Sequence, residues 1–265
     1  MTVRVETLII GNEILSGHTK DTNSQWITKQ LLSLGLSIKH IAIISDDVEA
    51  IAEAIKNSCN RGTQLLFTSG GLGPTYDDRT AEGLALAAGT TLKLNQTALE
   101  MVTERYKTLH TQGFVESDEL TPARKKMAML PNGAQPLHNS IGTAPGIGYM
   151  LDETQIFCLP GVPQEFQVIF IEEIQPRIAT LSKSIIMREV FDVPILDESV
   201  LAPILDKIMS KADGVYLKST PRPYQSRERL RVIITVTGKT KSEAQKRLDQ
   251  AAKVLSETTK TVAQI

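Results

Sequence analysis

The sequence predicts an α/β protein with a mainly parallel sheet over residues 1–182, followed by a small α+β domain over residues 183–265. Two observations support this fold class. In the first part, short apolar runs alternate with helix-like segments, which is typical of βαβ units and a parallel sheet. After about residue 183 the order becomes strand, helix, strand, strand, helix, which is typical of a small antiparallel sheet with helices. A chain of 265 residues is long enough for one medium and one small domain.

The first domain is predicted to begin with three strands, each followed by a helix. The strand candidates are apolar runs, and the helix candidates open on residues that cap helices well, such as Asp21 and Thr22. Because the strands are parallel, their carboxyl ends should form one functional edge. The predicted strands span residues 5–11, 36–44 and 65–68, and the predicted helices span 22–34, about 47–61 and 81–88.

Further elements complete the two predicted domains. The first domain continues with a helix at 96–111, strands at 148–151 and 156–159, and a helix from 164 to about 181. The second domain contains strands at 185–193, 214–218 and 230–237, helices at 197–210 and 241–256, and an exposed proline-rich loop at 220–228.

Composition excludes several classes of function. A net charge of −1 gives no electrostatic basis for binding nucleic acid or an anionic membrane surface. No apolar run reaches the roughly 18 residues of a membrane span, and the N-terminus predicts a strand rather than a signal peptide. Cys59 and Cys158 lack metal-ligand spacing and are predicted to be reduced core thiols. We therefore expect a cytoplasmic protein with a small-molecule ligand, no nucleic-acid partner and no membrane association.

The most informative motif is the loop SGGLGPTYDD at residues 69–78, between the third strand and the next helix. Its three glycines lack the Cβ atoms that would block close backbone approach to a ligand, and their N–H groups are expected to stabilise phosphate charge. The following helix N-terminus also favours an anion. A tight turn alone explains two glycines and the proline, and Asp78 or Thr80 alternatively caps the helix. The adjacent paired carboxylates favour a phosphate-binding loop.

Three carboxylates are predicted to meet at the same edge of the sheet. Glu13 follows the first strand, Asp46 follows the second, and Asp78 lies in the glycine-rich loop. Uncompensated, such a cluster is repulsive, whereas a divalent cation relieves the repulsion and binds phosphates as well. We expect these residues to be the catalytic and metal-binding carboxylates. Asp46 and Asp47 alternatively do no more than cap the helix that follows them.

Two later loops bring small and polar residues to this edge. Asn139 and Thr143 in the first loop are expected to orient ribose or phosphate, and Gly161 lies in the second. Glu165 either faces the site or interacts only with the dipole of its own helix. The predicted phosphate- or nucleotide-binding residues are Gly70, Gly71, Gly73, Thr75, Asn139, Thr143 and Gly161.

Several common catalytic motifs are absent from the sequence. There is no G-x-S-x-G elbow, no Walker A motif and no G-x-G-x-x-G after the first strand. The four histidines show no metal-ligand spacing. Arg124 and Lys125 either neutralise phosphates or form a solvated charged face. The residues by themselves favour a phosphate-bearing ligand and leave hydrolysis and binding open.

These motifs resemble, in order, those of the N-terminal domain of the CinA (competence/damage-inducible protein) family. They are GNEIL at 11–15 with Asn23, the glycine-rich loop to residue 80, ARK at 123–125, LPNGA at 130–134, GTAPG at 142–146 and LPGVPQE at 159–165. The region after residue 183 resembles the small linking domain of that family, with DES at 197–199 as its clearest signature. The wider superfamily is that of molybdopterin-binding proteins of the MoaB and MogA type, so the resemblance implies their three-layer fold.

The resemblance implies two alternative functions. One is metal-dependent hydrolysis of ADP-ribose, or a related nucleotide diphosphate, to AMP and a sugar phosphate. This activity would use Mg²⁺, Mn²⁺ or Co²⁺, with K⁺ as an accessory ion. The other is a molybdopterin or nucleotide binder without turnover, or an adenylyl-transferring relative. The resemblance also implies a homodimer and, because the C-terminal deamidase domain of the family has no counterpart here, no deamidase activity.

Overall fold

Four parallel strands end at one edge of the main sheet in the computed structural model, which describes residues 3–182, 184–220 and 229–262. The chain divides into two compact units, Met1–Gln30 with Ser37–Leu181, and Leu31–Leu36 with Ser182–Ile265. The domain limits of 1–182 and 183–265 remain predictions. From residue 221 onward, the predicted proline-rich loop lies outside the described residues.

The strands of the first unit confirm the predicted α/β class with a mainly parallel sheet. They are β1 (Val5–Ile10), β2 (Ile38–Ile44), β3 (Leu65–Ser69), β4 (Leu92–Leu94), β5 (Met129–Pro131), β6 (Gln135–Leu137), β7 (Gly146–Leu151) and β8 (Thr154–Leu159). The six-stranded sheet has the order β2–β1–β3–β8–β7–β6. Strands β2, β1, β3 and β8 are parallel neighbours, β7 is antiparallel to β8, and β6 is antiparallel to β7. Strands β4 and β5 form a separate pair.

The helices before residue 181 agree with most of the predicted segments. They are α1 (Asn12–Leu15), α2 (Asn23–Ser33), α3 (Val48–Asn60), α4 (Thr80–Ala87), α5 (Gln96–Thr111), α6 (Pro122–Lys126), α7 (Pro163–Ile169) and α8 (Gln175–Ile178). The predicted single helix at 164–181 is wrong in its middle, where a π-helical turn spans Phe170–Ile174. Pro176 explains the interruption, since it has no N–H to donate to an α-helical hydrogen bond.

Close packing fixes the helix that follows the glycine-rich loop. Ile51 and Ile55 lie four residues apart on one face of α3 and are fully buried. Gly83 of α4 approaches this face so closely that a Cβ atom would collide with the Ile51 side chain. Helix α4 is therefore held against α3, and the loop that leads into α4 has a fixed end point.

The second unit confirms the predicted order of strand, helix, strand, strand, helix. Its elements are β9 (Ile185–Val193), α9 (Glu198–Met209), β10 (Val215–Thr220), β11 (Leu230–Gly238) and α10 (Lys241–Val262). The strands form an antiparallel sheet in the order β10–β11–β9. Alternate residues of β11 are buried, as expected for a sheet covered by helices on one face. They are Leu230, Val232, Ile234 and Val236.

The structure also bears on the predicted thiols and on membrane spans. Cys59 and Cys158 are both free, and of the two predicted core thiols Cys158 is buried while Cys59 is only partly buried. Burial raises the pKa of Cys158 to about 12, so this thiol stays protonated and unreactive. No helix in the described ranges is long and apolar enough to cross a bilayer.

Glu6 in β1 is a buried carboxylate that the sequence did not single out. Its side chain is 0% exposed and lies 2.6 Å from Arg61 Nη2 and 3.1 Å from Arg4 Nε. Burial alone would raise the pKa of Glu6. Hydrogen bonds from Arg61 and Arg4 outweigh burial and lower the pKa from 4.5 to about 2. The ionised form of Glu6 therefore stabilises the fold.

We expect Glu6→Gln to lower the free energy of unfolding by about 3 kcal/mol at pH 7 and by less than half as much at pH 3. The pKa is lower in the folded than in the unfolded protein. The stabilisation by the carboxylate is therefore complete above the unfolded value of 4.5 and is lost as the pH falls toward 2. Urea denaturation at the two pH values measures the difference. An equal loss at both would contradict the account.

Candidate functional site

One pocket of about 480 Å³ lies at the carboxyl-terminal edge of the parallel strands. The chain passes from β1 to β2 on one side and then to β3 on the other side of β1. In open α/β sheets, ligand clefts form where the direction of connection reverses in this way. Of the predicted site residues, Glu13, Asp46, Gly70, Gly71, Gly73, Thr75, Asp78, Thr143 and Gly161 line this pocket.

The loop requires glycine at positions 70 and 71. Both residues have positive φ, +111° at Gly70 and +68° at Gly71. A Cβ atom on Gly70 would collide with the Ile10 carbonyl oxygen, and one on Gly71 would collide with Thr80 Oγ1. The Thr80 hydroxyl instead donates to the Gly70 carbonyl at 2.7 Å, so the first residue of α4 closes the loop. No side chain caps α4, which excludes the capping alternative for Asp78 and Thr80.

The N–H groups of the loop differ in their availability to a ligand. The Gly70 N–H donates to the Leu159 carbonyl at 2.9 Å, so its predicted use as a phosphate donor is wrong. The N–H groups of Gly71 and Gly73 form no hydrogen bond with any described residue, and both residues line the pocket. Neighbouring backbone N–H groups that lack an acceptor can together bind an anion. Of the three glycine N–H groups that were predicted as donors, those of Gly71 and Gly73 are therefore available and that of Gly70 is not.

Asp78 braces the second half of the loop. Its Oδ2 accepts the Thr75 N–H at 2.9 Å and the Thr75 hydroxyl at 2.5 Å. Asp77 Oδ1 also lies 2.5 Å from this hydroxyl, whose single proton the two carboxylates share, and this interaction lowers the pKa of Asp77. Lys126 Nζ donates to the Thr75 carbonyl. Thr75 thus lines the pocket, but its polar groups are engaged within the protein.

Asp46 and Asp47 have different roles in the structure. Asp47 caps α3 by accepting the Ala50 N–H at 3.1 Å, as in the alternative given above. Asp46 Oδ2 accepts the Asn12 N–H at 2.8 Å and so ties the segment after β1 to the segment after β2. The Glu13 carboxylate forms no hydrogen bond in the described part of the chain. Asp46 and Glu13 both face a common pocket, whereas Asp47 does not line it.

The pocket wall is strongly acidic. Its carboxylates are Glu13, Asp46, Asp77, Asp78 and Glu165, and no Lys, Arg or His is found among the described residues that line it. A phosphate would be repelled unless a cation entered with it, and carboxylate oxygens are the ligands that Mg²⁺ prefers. Glu13, Asp46 and Asp78 were predicted to meet as a metal site, but within the described ranges no three acidic, His or Cys side chains converge into such a site on their own. A cation would therefore complete its coordination with ligand phosphates and water, as Mg²⁺ commonly does.

Asn139 shapes the loop after β6 and does not line the pocket. Its Nδ2 donates to the Ala144 carbonyl at 2.8 Å and to Glu165 Oε2 at 2.7 Å, while its Oδ1 accepts the Gly142 N–H at 2.8 Å. The predicted contact of Asn139 with ribose or phosphate is therefore corrected, since its amide is used within the protein. Asn139 instead holds Glu165 at the pocket wall, beside Thr143 of its own loop.

Asn23 at the start of α2 also supports the site. It is buried, and its Nδ2 donates to Ser69 Oγ at 2.8 Å and to the Gly161 carbonyl at 2.9 Å. These bonds join the ends of β3 and β8, where the two loops enter the pocket. No periodicity or spacing in the sequence indicates this function, because the three residues lie far apart along the chain.

The predicted cations at 124 and 125 do not line the pocket. The Arg124 guanidinium lies 3.8 Å from the centre of the Tyr106 ring and donates to the carbonyls of Ser117 and Glu119. Lys126, one residue beyond the predicted pair, contacts the glycine-rich loop through Thr75. The structure therefore gives no support to neutralisation of a phosphate in this pocket by Arg124 or Lys125.

Comparisons with known proteins agree with this fold. A family model described as "Probable molybdopterin binding domain" matches residues 6–180. A protein of Pyrococcus horikoshii is 39% identical over 222 residues, or 84% of this chain and 86% of its own. A protein of Saccharolobus solfataricus is 37% identical over 246 residues, or 92% and 88%. The crystal structure of CinA from Thermoplasma acidophilum matches with a TM-score of 0.60 at 32% identity, covering 67% of this chain and 98% of that one.

Proposed function

Because this chain belongs to the family of probable molybdopterin binding domains, among its CinA-like members, we propose that its acidic pocket binds the phosphate end of a pterin or nucleotide. The observation that carries the proposal is the glycine-rich loop, whose Gly71 and Gly73 N–H groups are unpaired within the described residues and line the pocket. Such N–H groups suit phosphate oxygens.

The size and lining of the pocket support a small heterocyclic ligand. A volume of about 480 Å³ lies within the range of about 300–1,000 Å³ that is typical of small-molecule sites. Leu72 and Val162 add apolar surface beside the polar loop, which suits a flat ring next to a phosphate. A pterin or purine phosphate has both parts.

The acidic wall supports a divalent cation in the bound state. One or two of the carboxylates of Glu13, Asp46 and Asp78 would hold Mg²⁺, Mn²⁺ or Co²⁺ together with the ligand phosphate. When bound, such an ion neutralises phosphate charge and lowers the pKa of a coordinated water. The N–H groups of Gly71 and Gly73 then orient the phosphate.

Isothermal titration calorimetry with AMP, ADP-ribose and a pterin phosphate, each with and without Mg²⁺, tests this proposal. We expect at least one of these ligands to bind, and its affinity to fall about tenfold or more when EDTA removes the cation. Adenosine, which has the ring but no phosphate, serves as the matched control and should bind at least ~100-fold more weakly than AMP. If adenosine and AMP bound equally well, phosphate recognition by the loop would be refuted.

A second candidate function is hydrolysis of the pyrophosphate bond of ADP-ribose. One observation favours this function. The Glu13 carboxylate lines the pocket and has no hydrogen-bond partner among the described residues, so it is available to accept a proton from an attacking water. Incubation with ADP-ribose, K⁺ and Mg²⁺, Mn²⁺ or Co²⁺, followed by chromatography, should then release AMP and ribose 5-phosphate. Binding without release would leave the protein as a binding module.

A further inference from the structure

Tyr76 is the most exposed aromatic residue in the described parts of the chain. It is 91% exposed, and Phe114 follows at 75%. A single exposed apolar side chain is ordinary on a protein surface, so exposure by itself indicates no function. Tyr76 differs from Phe114 in its position, because its two chain neighbours, Thr75 and Asp77, both line the acidic pocket. Tyr76 therefore stands at the rim of that pocket.

Hydrogen bonds hold the backbone of Tyr76 in a fixed turn. The Asp78 N–H donates to the Thr75 carbonyl at 3.3 Å, so Tyr76 and Asp77 are the two central residues of the turn. Lys126 Nζ donates to the same carbonyl, and the Thr75 hydroxyl is engaged by the adjacent carboxylates. An aromatic side chain on a braced turn is pre-organised, so its contact with a ligand costs little conformational entropy.

The acidic pocket has no aromatic surface of its own within the described residues. No Phe, Tyr or Trp is found among those that line it, and apolar lining residues such as Leu72 and Val162 are aliphatic. Proteins commonly hold a flat heterocyclic ring by stacking it on an aromatic side chain. At the rim, Tyr76 supplies the surface that the interior of the pocket lacks.

The cleft outside the loop determines which end of a ligand lies against Tyr76. This open cleft has a volume of about 770 Å³, and neither Gly71 nor Gly73 lines it. Its one described cation, Arg79, is paired with Glu82 at 3.2 Å. The cleft repels a phosphate and accepts an uncharged ring with N–H donors, because its wall is acidic. The carboxylates of that wall are Glu13, Asp46, Asp47, Asp77 and Glu82.

We infer, building on the proposed function, that Tyr76 is the residue on which the heterocyclic ring of the ligand stacks. The phosphate and its cation lie inside the pocket, and the ring projects from the pocket onto the Tyr76 side chain. The two halves of one loop then recognise the two parts of the ligand. Gly71 and Gly73 bind the phosphate, and Tyr76 makes the site selective for phosphates that carry a flat ring.

Titration calorimetry with AMP, a pterin phosphate and ribose 5-phosphate, each with Mg²⁺, tests this role. Ribose 5-phosphate keeps the phosphate and sugar of AMP but lacks the ring. Tyr76→Ala should weaken whichever ring-bearing ligand binds by about 10–100-fold and leave ribose 5-phosphate within about twofold. Tyr76→Phe keeps the aromatic ring and should stay within about threefold for every ligand.

Phe114→Ala is the matched control. It removes the other strongly exposed aromatic side chain, which does not line the pocket or the cleft, and should change no affinity.

A tryptophan at this position reports stacking directly. In Tyr76→Trp, the bound ring should quench the emission of the new indole, and ribose 5-phosphate should leave it unchanged. The native Trp26 packs edge-on against Phe166 and Phe170, so the wild-type protein measures its contribution to the signal.

The other outcomes separate this inference from the proposed function. If neither AMP nor the pterin phosphate binds the wild-type protein, the proposed function fails and the role of Tyr76 fails with it. Wild-type affinity for the ring-bearing ligand in Tyr76→Ala would overturn the stacking role alone and leave phosphate binding intact. Equal losses for ribose 5-phosphate and the ring-bearing ligand would assign Tyr76 to maintaining the loop, and would also overturn the inference.

Discussion

Gly70→Ala should abolish ligand binding, with at least a ~100-fold loss of affinity, and should lower the free energy of unfolding by about 3 kcal/mol. Gly70 has a φ of +111°, and a Cβ atom there would collide with the Ile10 carbonyl oxygen at the end of β1. The loop can relieve the collision only by moving away from β1. This movement would displace the N–H groups of Gly71 and Gly73 from the positions that phosphate binding requires.

Gly89→Ala is the matched control for this experiment. Gly89 also has positive φ, +62°, but no atom lies within 4 Å of a Cβ added there. The control should therefore cost only about 1 kcal/mol of stability and leave binding unchanged. Thermal unfolding and calorimetric titration of both variants give the comparison. Wild-type affinity in Gly70→Ala would show that the loop conformation is not what binds the ligand.

Asp78→Asn should reduce the affinity for a nucleotide with Mg²⁺ by about 100-fold or more, and should reduce any turnover at least as much. Asp78 Oδ2 accepts two hydrogen bonds from Thr75, at 2.9 and 2.5 Å. An amide supplies weaker neutral acceptors in place of charge-assisted ones, and it removes a negative charge from the wall that would hold the cation. The loop and the cation are thus weakened together.

Asp77→Asn tests whether the position of the carboxylate matters or only its charge. Asp77 is the adjacent residue, lines the same pocket and shares the single proton of the Thr75 hydroxyl with Asp78. Because it does not accept the Thr75 N–H, we expect its affinity loss to be about tenfold or less. Equal losses in the two variants would mean that Asp78 contributes only to the overall negative charge.

The strand ends and the loops that line the pocket were predictable from the sequence. An apolar run that ends in a carboxylate or a glycine cluster locates a strand end, and parallel strands bring such ends together. Glu13, Asp46 and Gly71 follow three different strands and line one pocket for this reason. The three-residue strands β4, β5 and β6 were missed, because three residues are too few to show a period.

The hydrogen-bond partners within the site were not predictable in the same way. The Gly70 N–H donates to Leu159, and Asn139 holds Glu165, through contacts between residues that are distant in sequence. A single sequence records the donors and acceptors but not which of them meet. Arg105 is an example, since its place in α5 indicates an ordinary helix-surface cation, whereas its Nε is buried without an acceptor in the described structure.

A crystal structure of the protein with ADP-ribose and Mn²⁺ tests the central claim most directly. The account predicts phosphate density within hydrogen-bond distance of the Gly71 and Gly73 N–H groups. It also predicts an anomalous Mn²⁺ peak beside that phosphate and at least one carboxylate of Glu13, Asp46 or Asp78. Density for the ligand or the ion only outside this pocket, with the glycine-rich loop empty, would contradict the claim that the loop is the phosphate-binding element of this protein.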